Sequence, residues 1–300
     1  GEVSISADDI NNGSSDDSDG ALTYELDKTT FDCEDLIEVA STHGTALDFD
    51  DVNDNIVLGN KPQYDFTVND AFTIEAWINP STVSSGWHSF LAKDHWSAGK
   101  GFVIYIANGG IYFEQAGGGA SSSGGISAST WTHIAATYNN GIYTLYLNGA
   151  PQGSSSGSYV NSSSPFVIGN RNHNGGSSAP AGFNNYPGKI DDVRIWNIAR
   201  SASEIMSNMN QPLVGSETGL VGYYPFEDGQ GDVITDLAMG NNASIAVSNM
   251  DASSDWVTGK ALQASTNSNE VILTVTDPSG NESTATANVT VEDSIDPTIA

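Results

Sequence analysis

The stretch "WTHIAATYNNGIYTLYLNG" (131–149) decides the fold class. Ile134, Ala136 and Tyr138 alternate with more polar neighbours, and Tyr143, Leu145 and Leu147 do the same after "NNG". A period of two places alternate side chains on one buried face of a strand, and a short loop containing glycine joins two such strands as a hairpin. A lone hairpin buries too little apolar surface to stand, so partner strands are required. They lie on both sides. "TALDFDD", "FTIEAWINP", "SFLAKD", "GFVIYIAN", "GIYFEQ", "FVIGN", "GKIDDVRIWN" and "GLVGYYPFEDG" share the texture, each closed by Gly, Asn, Pro or Asp. A single helix is expected, at "SASEIMSNMN", with Ser201 as N-cap and Glu204 completing a capping box.

Composition agrees. The 300 residues carry a net charge of −28, from 37 acids against 9 Lys and Arg. Of the acids, 25 are Asp and 12 Glu, a bias toward turns and hard-cation sites over helix surfaces. Such a charge excludes nucleic acid and anionic membranes as partners. It also calls for screening by salt or Ca²⁺, as in an extracellular setting. Cys33 stands alone and makes no internal disulfide. No apolar run approaches the ~18 residues of a membrane span, so a soluble piece of a longer exported chain is expected.

The middle block resembles the laminin-G-like, concanavalin-A-like jelly-roll modules of bacterial surface proteins. The resemblance is carried by "ALDFDDVNDNIVL" (46–58), "FTIEAWINP" (72–80), "WTHIAATY" (131–138), "LYLNG" (145–149), "GKIDDVRIWNIARSASEI" (188–205) and "GLVGYYPFEDGQGDVITDLAMGNNASI" (219–245). It implies an all-β, antiparallel jelly-roll β-sandwich over residues 41–263. It departs from the family at Asp51, where glycine is usual, and at Asn53, where aspartate is usual.

The flanks resemble the two halves of a hyalin-repeat-type, immunoglobulin-like domain. "SISADDINNGSSDD" with "LDKTTFDCEDL" looks like the first half, and "EVILTVTDPSGNESTATANVTVEDSIDPTIA" like the second. More than two hundred residues separate them. The resemblance thus implies a split immunoglobulin-like extender (1–40 plus 264–300) holding the jelly roll in one of its loops. No helix is expected in the flanks.

The family often holds a structural Ca²⁺ near "DFDDVND" and "KIDDVRIW", which makes Asp50, Asn53 and Asp191 candidate ligands by resemblance. Acids at the ends of the split domain, Asp9, Asp277, Asp293 and Asp296, are candidates for a Ca²⁺ at a junction with neighbouring repeats. The E-x-D-x-x-E strand typical of the related glucanases is absent, so no catalysis is expected, and Glu75 in "TIEAW" has no second acid on its strand. Trp77, Trp131 and Trp196 fall in strand patterns and are assigned to the core. Trp87 and Trp96 fall in loops instead. With Asp94, His95, Arg171, His173, Asn184, Asn185 and Tyr186, they offer the aromatic platform and polar groups of a sugar site. The expectation is a non-catalytic, Ca²⁺-supported adhesion module on the cell surface, binding a glycan or other surface ligand. A purely structural spacer or protein–protein contact module in the stalk is the alternative, and a polysaccharide-active enzyme a more distant one.

Overall fold

A computed structural model describes residues 3–11, 13–15, 21–31, 43–50, 54–84, 86–115, 118–122, 124–171, 185–245, 250–262 and 269–289. The chain forms two compact units, one from residues 1–40 and 263–300, the other from Ser41 to Leu262. Cys33 lies outside the described residues.

Strands are numbered along the chain. The two-segment unit contains β1 (Val3–Ser4), β2 (Thr23–Leu26), β3 (Thr30–Phe31), β20 (Asn269–Thr276) and β21 (Glu282–Val289). β20 pairs with β21 and, across the long sequence gap, with β2, so that Leu26 faces Leu273. β1 pairs with β3. Phe31 and Val271 are buried together, with Ile5, Ile10, Leu26 and Val289 around them. Contrary to expectation, this unit has one helical turn, α1 (Ala7–Ile10). Ser6 and Asp9 are three residues apart, and the Asp9 carboxylate accepts from the Ser6 amide at 2.8 Å. That bond satisfies a backbone donor at the start of the turn.

The larger unit contains β4 (His43–Phe49), β5 (Ile56–Gly59), β6 (Phe72–Pro80), β7 (His88–His95), β8 (Lys100–Ala107), β9 (Gly110–Gln115), β10 (Gly118–Ser121), β11 (Thr132–Asn139), β12 (Ile142–Leu147), β13 (Ala150–Ser156), β14 (Phe166–Ile168), β15 (Gly188–Trp196), β16 (Leu220–Tyr224), β17 (Val233–Ile234), β18 (Ala243–Ser244) and β19 (Trp256–Ala261). One sheet of six runs β10-β9-β8-β7-β14-β5. A sheet of eight runs β13-β12-β11-β6-β15-β4-β19, with β16 also paired to β15. Their inner faces share one core, in which Phe72 of the larger sheet stacks on Phe102 of the smaller at 5.8 Å. Each buried Phe of this kind is worth about 1.5–3 kcal/mol relative to exposure. The fold is thus the all-β, antiparallel jelly roll.

The 131–149 hairpin is β11 and β12, with Asn139 facing Ile142. Asn140 (φ +48°) and Gly141 (φ +81°) both occupy the left-handed region, as the tightest hairpin turn demands. The expected helix is α2 (Ala202–Asn208), and both arms of its capping box form. Trp131, assigned to the core from its pattern, is only half-buried, because it precedes the first residue of β11.

Candidate functional site

Alternation along β7, β8 and β9 sends Phe90, Phe102, Ile104, Ile111 and Phe113 into the core. It sends Ala92, Val103, Tyr105 and Ala107 to the opposite, outer face, where they form a second apolar cluster with Tyr112. Tyr105 and Tyr112 are direct cross-strand partners, and their rings stack at 5.0 Å and 9°. Trp87, just before β7, lies 5.8 Å from the Tyr105 ring on a 37° tilt. Trp87 is 53% exposed, Tyr112 half-buried and Tyr105 buried between them. Glu114, one alternate position beyond Tyr112, hydrogen-bonds the Tyr105 hydroxyl, and burial followed by the Glu114 charge pushes that hydroxyl far above the usual tyrosine range. Past Tyr112 the neighbouring strand offers only Gly119 and Ser121, opposite Glu114 and Tyr112 respectively. The result is an aromatic row with a carboxylate at its flank and small residues beyond.

Two of the sequence candidates meet here. The Arg171 guanidinium binds the Asp94 carboxylate, with both side chains about 2% exposed or less. They support this face as a buried ion pair and offer little surface to a ligand. His95 is half-buried at the end of β7, opposite Lys100. Tyr186 corrects the expectation: it is a core residue, 1% exposed, packed on Phe90 at 5.7 Å with its hydroxyl donating to the Lys189 carbonyl at 3.2 Å. The residue sits just before β15, where a ring turned inward fills the core. The Trp96 side chain, His173 and Asn184 lie outside the described residues. Tyr105, Tyr112 and Glu114 were missed because strand residues with this pattern read as ordinary sheet. The signal was "YIANGGIYFE", whose tight turn forces Tyr105 and Tyr112 opposite one another.

The acids gather differently from expectation. β15 pairs with β4 so that Ile190 faces Leu47 and Gly188 faces Phe49. Asp191 therefore lies toward Ala46, while exposed Asp50 lies past Phe49, roughly 10 Å or more away along the strands. Asp191 is 1% exposed and accepts from the Lys260 amide at 2.7 Å. Burial, then the neighbouring Asp192 and Glu227, push its pKa well above the usual carboxylate range. Glu227 accepts from the Thr45 amide at 3.2 Å, and its pKa is raised too, first by burial. Asn53, Asp293 and Asp296 lie outside the described residues. Asp9 caps α1, and Asp277 closes a turn by accepting from Ser279 and Asn281, so local bonds engage both carboxylates. Among the described residues, no group of three or more His, Cys, Asp or Glu is placed to hold a metal. Asp50 and Asp191 do not fit a shared Ca²⁺.

Residues 50–206 match the family described as the concanavalin A-like lectin/glucanases superfamily, laminin G type. The chain belongs to that superfamily. No curated protein matches it. Among solved structures, it is similar to a protein of Bacteroides ovatus named for carbohydrate binding, with 24% identity, a TM-score of 0.53, and coverage of 69% of this chain and 58% of the other. It is also similar to the CBM40 module of a Ruminococcus gnavus sialidase bound to α2,3-sialyllactose (14% identity, TM-score 0.44, 54% and 95% covered). A heptameric pentraxin of Limulus polyphemus is a third (17%, 0.40, 55% and 81%). At these identities the likeness is one of fold.

A superfamily named for both lectins and glucanases invites a search for paired carboxylates. Glu75, on the outer face of the larger sheet, is fully buried between His133 at 3.4 Å and Arg200 at 3.3 Å. Burial opposes its ionisation, yet the His133 imidazole beside it and the Arg194 and Arg200 guanidinium groups hold its pKa below the usual range. α2 and the turn after it close this face: Arg194 donates to the Asn208 and Gln211 carbonyls, and Trp77 to that of Met209. Glu75 is a structural charge. On the aromatic face Asp94 is bound to Arg171, which leaves Glu114 as the acid beside the row. Glycoside hydrolysis takes two carboxyl groups about 5–10 Å apart across the bond to be cut.

Proposed function

We propose that the larger unit is a non-catalytic glycan-binding module of an extracellular bacterial adhesin. The observation that carries this is the Trp87–Tyr105–Tyr112 row beside Glu114. Sugar rings place their C–H faces on aromatic rings, and their hydroxyls pair with a flanking acceptor such as a carboxylate. The name of the Bacteroides ovatus protein of like fold supports the same reading. The unit formed by the two flanking segments is read as an immunoglobulin-like extender among neighbouring repeats. Calcium enters as a screening cation for a chain of net charge −28, not as an ion chelated by Asp50 and Asp191.

A glycan array probed with the native chain and with Trp87→Ala tests the proposal. Binding to at least one glycan, weakened tenfold or more by the substitution, is expected. Silence of the native chain, in Ca²⁺ and in EGTA alike, would favour the spacer. For the ion, thermal midpoints in CaCl₂, and in EGTA with NaCl at equal ionic strength, should agree closely.

A further inference from the structure

The aromatic row and the cations near it also bear on the charge of the ligand, an inference that rests on the glycan-binding reading. An acidic sugar needs a cation free to meet it, since an unpaired carboxylate held at a protein surface costs more than a hydroxyl. Among the described residues of the strands that build this part of the sheet and their ends, 86–115, 118–122 and 166–171, three are Lys or Arg: Lys93, Lys100 and Arg171. Arg171 is 2% exposed and bound to Asp94. Lys93 is 0% exposed and points away, toward Asn60 at 2.9 Å, Asp65 at 3.0 Å and the Ser162 carbonyl. Lys100 is exposed at the very start of β8, five residues and roughly 16 Å along the strand from Tyr105. Arg171 still acts on Tyr105 through its charge, but from within its ion pair; the charge open beside the rings among the described residues is Glu114, half-buried and already accepting from Tyr105. A net charge of −28 adds a repulsive field over the whole chain.

We infer that this face selects uncharged glycans and rejects uronate, sialyl and sulfated ones. The exposed ring of Trp87 and the half-buried ring of Tyr112 flank buried Tyr105, so the ligand lies along the row with its C–H faces on the outer rings. Glu114 accepts from its hydroxyls. Selectivity comes from the absence, among the described residues, of an exposed Lys or Arg at the rings together with the presence of a fixed anion.

Affinity electrophoresis tests this, using gels containing neutral polymers (laminarin, xylan, galactomannan) or acidic ones (alginate, polygalacturonate, dextran sulfate), at low and at high salt. The native chain should be retarded by a neutral polymer. Trp87→Ala and Tyr112→Ala should each lose that retardation, and Glu114→Gln should weaken it several-fold. Acidic polymers should leave mobility unchanged at either salt. Retardation by an acidic polymer that Trp87→Ala abolishes overturns the inference while leaving glycan binding intact. So does neutral binding that survives both aromatic substitutions. Silence toward every polymer overturns the glycan reading itself. Circular dichroism of each variant separates lost binding from lost fold.

Discussion

Asp191 shows how a single residue can carry a charge the fold does not use. Its carboxyl is buried beside Asp192 and Glu227, and its folded-state pKa lies well above that of an unfolded aspartate. The folded state thus holds this proton to higher pH than the unfolded chain does. The stabilisation is complete below the unfolded pKa, near 4, and is lost as pH rises through the folded value. Asp191→Asn keeps an acceptor for the Lys260 amide without the charge. It should raise stability at neutral pH by about 1–3 kcal/mol and flatten the decline in thermal midpoint between pH 4 and 7. A lower midpoint would mean that the ionised carboxylate is in use, as a cation ligand would be. Arg171 behaves in the opposite sense. Arg171→Ala leaves Asp94 as a buried charge without its ion partner and should cost about 3–5 kcal/mol in denaturant titration. Trp87→Ala, at a side chain 53% exposed, should cost about 0.5–1 kcal/mol there. Sequence named Asp94, Arg171 and Trp87 as one site. It could not show that two of them pair with each other while the third stays open, because burial depends on what lies above a residue and not on the residue itself.

Elements were more legible than side chains. The 131–149 hairpin, the strand runs and α2 could be read because local chemistry and the final fold agree there: period two, Asn-Gly at a left-handed turn, and Ser and Glu three apart. Ser201→Ala removes one arm of the capping box and should cost about 1 kcal/mol. Since α2 closes the face that holds Glu75, Arg194 and Arg200, the loss should appear as faster hydrogen exchange at Asn208, Met209 and their neighbours. An exchange pattern equal to that of the native chain would show that tertiary contacts alone fix the helix. What sequence missed were pieces of weak local signal. α1 is a single turn held by Ser6 and Asp9, and β17, β18 and β19 are held by their partners more than by periodicity. The bulge in β15 between Asp191 and Arg194, with Asp192 at φ +53°, is equally silent in "KIDDVRIW". It shifts the register of β15 against β6.

At the scale of the molecule, the larger unit begins and ends on neighbouring strands. β4 and β19 are antiparallel partners, and His43 faces Ala261 across their ladder. A domain whose ends adjoin can interrupt a host loop without pulling it apart. The unit also holds its own core, built from both sheets, whereas the two-segment unit buries little beyond Phe31 and Val271 among the described residues. Small cores are marginal, because less of the chain's surface is removed from water. Two consequences should be measurable. Residues 41–262 expressed alone should fold and melt within a few degrees of the same unit in the full chain. Scanning calorimetry of the full chain should resolve two transitions, the lower from the two-segment unit. Residues 1–40 alone should lack the β2–β20 ladder and remain unfolded, while a chain joining 1–40 to 263–300 by a short glycine-serine link should recover the lower transition. One cooperative transition for the full chain, together with an unfolded 41–262 fragment, would show that each unit depends on the other. Independent melting instead would mean that the larger unit does not share the stability of the two-segment unit.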